Sequence, residues 1–86
     1  MTHLEQTIIA NARIELEAVL AYYRNKDALS PADAAEDAWR DYHGRYNAMH
    51  AFLMLAHQAN SGMSAEGVEA LKEIEAEHAL AYRSMS

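Results

Sequence analysis

Apolar residues recur along this chain with a period of 3.6 and nowhere with a period of two, a pattern that predicts helices throughout. Between Leu4 and Lys26, steps of about 100° per residue bring Leu4, Ile8, Ile9, Ala12, Leu16, Val19, Leu20 and Tyr23 onto one stripe. Gln6, Arg13, Glu17 and Arg24 fall outside it, and no glycine or proline interrupts the segment. A first helix is therefore expected over residues 4–26. Asp27-Ala28-Leu29 breaks the pattern. Ser30-Pro31-Ala32-Asp33 restarts it, with a serine N-cap, proline at the first helical position and an acid two residues later. The second helix is expected over residues 31–60, closed by Ser61-Gly62. Gly44 inside it costs about 1 kcal/mol relative to alanine and suggests a bend or a close helix contact. The third is expected over residues 64–83, with Ser64 as N-cap and Glu66 in the first turn, where the helix dipole favours negative charge. Short connections favour antiparallel neighbours, so the expected fold is all-α: an antiparallel three-helix bundle forming a single domain over residues 1–86.

Length and composition add a constraint. A chain of 86 residues lies just above the range, roughly 70–80, in which one core is hard to close without staples. It has no cysteine, so no disulfide can help, and a reducing, cytoplasmic setting is expected. Its 51% hydrophobic share leans on alanine, which buries little area, so self-association into a homodimer is expected. No run approaches the roughly 18–20 apolar residues of a membrane span. The start, MTHLEQTIIANAR, lacks the basic and apolar regions of a secretion signal. With 7 basic against 13 acidic residues the formal charge is −6. That argues against direct nucleic-acid binding, which needs clustered lysine and arginine, and is compatible with a basic protein partner.

Three patterns carry candidate chemistry. From Ala48 to Ala59 (AMHAFLMLAHQA) the second helix is apolar on all sides: Met49 and Leu53 continue its core stripe, while Phe52 and Leu55 turn toward the side that acids occupy earlier. A helix apolar all round is buried all round, and two neighbours cannot cover it. Phe52, Met54 and Leu55 are thus expected to contact another chain. Ala10, Ile14, Ala18 and Ala21 give the first helix a second, small-residue face. On the third helix Leu71, Ile74, Tyr82 and Met85 form the expected core stripe, with His78 in its middle. Opposite it Glu66, Glu69, Glu73 and Glu77 form a ribbon about 16 Å long, with only Lys72 and Arg83 near its edge. Each like-charge neighbour costs a few tenths of a kcal/mol. Such a ribbon is expected to dock on a basic surface, including one that normally holds nucleic acid. Small acidic inhibitors of the mobile-element or phage type share this size and charge.

The histidines form the third pattern. His43, His50 and His57 follow one another at intervals of seven, about 10.5 Å apart along a helix, too far to chelate one ion together. They read as residues bordering the core or as a pH-sensitive stripe, since protonating all five histidines would move the charge from −6 to −1. Glu75-x-x-His78 matches the element that carboxylate di-metal bundles use, with Glu15 the remaining candidate ligand. A metal-binding bundle assembled across a dimer is therefore one alternative function, and a structural subunit of a larger assembly is another. No cysteine nucleophile and no glycine-rich phosphate loop is present, and the serines sit at caps, in loops or at the C-terminus. The expected function is a non-enzymatic protein-interaction module without cofactor or catalytic residues.

Overall fold

The computed structural model of the chain describes residues 1–28 and 32–85. Three α-helices follow one another: α1 (His3–Asn25), α2 (Ala32–Met54) and α3 (Ala65–Met85), with short 3-10 turns at Lys26–Ala28 and Leu55–His57. Among the described residues there is no strand, and no helix is long and apolar enough to cross a membrane. The chain runs up, down and up again. α1 and α3 are therefore parallel to each other, as contacts near both their starts (Glu5 with Ser64) and their ends (Tyr23 with His78) show.

Thr2 opens α1 through a capping box: its Oγ1 accepts from the Glu5 amide at 3.1 Å, and Glu5 Oε1 accepts in return from the Thr2 amide at 3.5 Å. Ser64 opens α3 as expected, its Oγ accepting from the Gly67 amide at 3.2 Å. The proposed caps of α2, Ser30 and Pro31 with the Asp33 side chain, lie outside the described residues. Gly44 lies in open surroundings, with no atom within 4 Å of where a Cβ would stand, so no close helix contact explains it.

The core holds Ala12, Leu16 and Val19 from α1, Met49 and Leu53 from α2, and Leu71 and Ile74 from α3. Each larger side chain among them contributes roughly 1.5–3 kcal/mol by leaving water. Three expectations about the stripes need correction. Leu4 is 68% exposed, because Glu5, three helical turns before Leu16, takes the inward position. Tyr82 and Met85 are 54% and 36% exposed rather than core. His78 and Tyr82 both meet Tyr23 near the end of α1, where the bundle is open and its last turns are covered only at their edges.

The third correction concerns α2, which stops at Met54 and not near residue 60. Leu55–His57 tightens into a 3-10 turn, and Gln58 is extended, with φ −96° and ψ 127°. Gly62, at φ 80°, turns the chain where an L-residue would be strained. Past Met54 the step of 100° per residue no longer applies. Leu55 consequently packs against the core, as does Phe52, and neither stands on an uncovered face.

Candidate functional site

The outer face of α3 carries the glutamates singled out in the sequence. Glu66, Glu69, Glu73 and Glu77 are all exposed. Glu77 has a partner that a reading of α3 alone misses: Arg13 of α1 donates to its Oε2 at 2.9 Å. The Arg13 guanidinium is held more firmly protonated than usual, chiefly by that hydrogen bond, with the charges of Glu77, Glu17 and Glu73 adding to it against partial desolvation. Three other cations are engaged elsewhere. Arg45 reaches Glu15 at 3.2 Å and Asp41 at 3.8 Å, Arg40 reaches Glu36 at 2.6 Å, and Lys26 lies 3.5 Å from Asp27. Among the described residues Glu66, Glu69 and Glu73 therefore form a row without an ion pair.

Of the three expected apolar contact residues only Met54 stays exposed, at 39%, while Phe52 and Leu55 turn inward. A run of aromatic and imidazole rings lies elsewhere, partly buried in the middle and exposed at Trp39 and Tyr82. Ring contacts run from Trp39 to His43 (4.9 Å) and from Tyr42 through Tyr46 to His50 on α2, both steps at 6.1 Å. Tyr46 then meets His78 at 5.5 Å, and His78 meets Tyr82 at 6.1 Å. The expected histidine stripe is thus partly a ring stripe, with His43 and His50 exposed beside their aromatic neighbours.

The Glu75-x-x-His78 pair is divided between two neighbours. Glu75 faces His57, whose Nε2 lies 2.9 and 3.1 Å from its two oxygens. His78 Nε2 lies 2.8 Å from the Tyr23 hydroxyl, which is itself 3.2 Å from the Tyr42 hydroxyl. Burial disfavours the imidazolium and pushes His78 below the usual histidine range. Burial also pushes the Tyr23 phenol well above its ordinary value, helped by the hydrogen bond with Tyr42. Glu15, the other candidate ligand, is taken by Arg45. Among the described residues no group of three or more histidines and carboxylates could hold a metal ion.

Glu5 is the polar residue that sequence reasoning missed. It is 5% exposed and joins the starts of two helices. Its Oε2 accepts from the Ser64 amide at 2.9 Å and from Ser64 Oγ at 2.6 Å, while Oε1 faces Thr2. The side-chain bond from Ser64 is the main cause that holds this carboxyl below the usual range, followed by the Ser64 amide and, against burial, the Thr2 contacts. The signal was available: Thr2-x-x-Glu5 is a capping-box spacing. Every buried side-chain polar atom among the described residues has a partner, so none is left waiting for a ligand. Comparison with known protein families, with curated proteins and with solved structures gave no match.

Proposed function

We propose that the protein is a non-enzymatic interaction module that docks the outer face of α3 on a basic surface of another protein. The observation that supports this reading is the row Glu66, Glu69 and Glu73, exposed and, among the described residues, without an ion pair. Repulsion along such a row costs the isolated helix a few tenths of a kcal/mol per pair, a cost that a partner's lysines or arginines would relieve. Charge of this kind speeds encounter and sets orientation more than it adds affinity. An inhibitor covering a nucleic-acid-binding site fits best, because such sites cluster the required cations. Met54, exposed at the end of α2, would supply a separate apolar contact.

The test is affinity capture with the wild-type protein and with the double variant Glu69→Lys/Glu73→Lys. A specific partner should be retained at low ionic strength (about 0.01 M) and released toward about 1 M, where screening falls to about 3 Å. The double variant should not retain it at either. A partner held equally by both proteins would remove the α3 row from the function.

A further inference from the structure

α3 is held unevenly along its length. Its buried residues, Gly67, Leu71 and Ile74, all precede His78. Beyond that residue Leu80 is 61% exposed, Tyr82 54% and Met85 36%. The start of α3 is anchored by the Glu5–Ser64 bonds and by the core. Among the described residues its second half holds no fully buried side chain. The exposed Arg13–Glu77 pair, the Tyr82–Tyr23 ring contact at 6.2 Å and a contact of Arg83 lie at its edge, and His78 is the polar side chain that it turns inward. We propose that residues 78–85 form a proton-released arm: neutral His78 pins it to Tyr23 and Tyr42, and protonation of His78 frees it while the first half of α3 stays docked.

The surroundings of the imidazole offer a proton no compensation. Tyr23 faces it from α1, Tyr46 from α2 and Tyr82 from its own helix, with Tyr42 behind Tyr23. None of these can supply a negative charge near neutral pH. The nearby carboxylate on the same helix, Glu75, is already engaged by His57. With Nε2 unprotonated, the Tyr23 hydroxyl donates to it and can accept from Tyr42. A protonated ring has only donors. Nε2–H must then donate to the Tyr23 oxygen, the Tyr23 hydrogen must turn to Tyr42, and a cation is left in a partly buried site without a counter-ion. Once the arm detaches, the imidazolium is hydrated and this conflict disappears.

The linkage sets the size of the effect. In the detached arm His78 titrates near its ordinary 6.5. Lowering the pH from about 7.5 to about 5.5 can therefore favour detachment by up to about tenfold. Amide hydrogen exchange of the full chain, followed by NMR and expressed as protection factors at both pH values, reads this directly. Protection at residues 79–85 should fall by several-fold to about tenfold, with residues 67–74 unchanged. Constant protection in 79–85, or an equal fall in 67–74, would overturn the proposal. His78→Phe keeps a ring but cannot titrate, and should show equal protection at both pH values. A persisting fall in that variant overturns the proposal, and so does loss of the effect in His57→Gln, which would make His57–Glu75 the sensor. Should His78→Phe fail to fold, the wild-type His78 ring resonance decides the matter: its midpoint must coincide with that of the arm's amide shifts, and separate midpoints refute the mechanism.

Discussion

Alanine placed at residues 44 and 67 should shift stability in opposite directions, although both positions are helical glycines. In a helix interior the change from glycine to alanine is worth about 0.8–1 kcal/mol, mainly through backbone entropy. At Gly44 nothing lies within 4 Å of the added Cβ, so Gly44→Ala should realise that gain. For a domain of this size that corresponds to a melting temperature higher by about 4–8 °C. At Gly67 the new Cβ would overlap Glu5 Oε2 and come within 2.8 Å of Met63 Cε. The methionine end can swing aside. The carboxylate cannot move without giving up the Ser64 amide at 2.9 Å and Ser64 Oγ at 2.6 Å. Gly67 also lies in the first turn, where the helix-propensity gain is smaller. Disturbing the Ser64 cap alone costs about 0.5–2 kcal/mol, so Gly67→Ala should melt several degrees below wild type.

Circular dichroism melts at neutral pH distinguish the two cases. A double-mutant cycle with Glu5 isolates the cause. With Glu5→Ala already in place the obstruction is gone, and adding Gly67→Ala should then raise the melting temperature. A Gly67→Ala protein that melts above wild type, or one that melts below its parent in the Glu5→Ala background, would refute the view that a pinned carboxylate fills the space beside Gly67.

Acid should expose the same carboxylate. Glu5 titrates lower in the folded chain than its ordinary 4.5, so its contribution is present above that value and is lost as pH falls through the lowered one. Melts taken across that range should fall less steeply for Glu5→Gln than for wild type, and parallel curves would contradict the assignment. On α3, Leu71→Ala should cost about 2–5 kcal/mol in urea unfolding, because Leu71 is fully buried. Leu80→Ala, at a 61% exposed site, should stay within about 0.5 kcal/mol of wild type.

The helices and most of the core were legible because they depend on periodicity, a local property. Leu16, Val19, Met49, Leu71 and Ile74 follow from the stripes alone, and Ser64 from its capping chemistry. What failed were inferences that carry a stripe to the open end of the bundle or past the end of its own helix. Tyr82 and Met85 keep the angular position of the core, but at the last turn they meet only the edge of α1. Tyr82 lies against Tyr23 and Met85 beside Leu20 and Arg24, and they stay 54% and 36% exposed. Leu55 was projected on a wheel that stops at Met54. Pairings between helices were also out of reach. Nothing in the order of residues joins Arg13 to Glu77, Glu5 to Ser64 or Tyr23 to His78, because each depends on how far α3 is shifted along α1. Glu75 and His78 show the limit most clearly: their spacing of three suggested one shared site, and tertiary packing gives them different partners.

The unequal anchoring of α3 also separates the two activities argued for it. Glu66, Glu69 and Glu73 lie on the half that holds Gly67, Leu71 and Ile74, and that is tied at its start to Glu5. A docking row on that half keeps its spacing whether or not the following turns are attached. Glu77 stands next to His78 and is paired with Arg13, an exposed contact of the kind typically worth about 0–1 kcal/mol, so it adds little to either hold. Salt should therefore act on partner binding through the first half, and protons on mobility through the second. If acid to about pH 5.5 abolished binding at constant salt, that separation would fail, because His78 protonation would then have to disturb a row whose own anchors, Glu5 apart, do not titrate. Glu5 is held below the ordinary carboxyl range and stays ionised there. The core and the Ser64 cap would remain in place, so the outer face of α3 should bind at pH 5.5 as it does at neutrality.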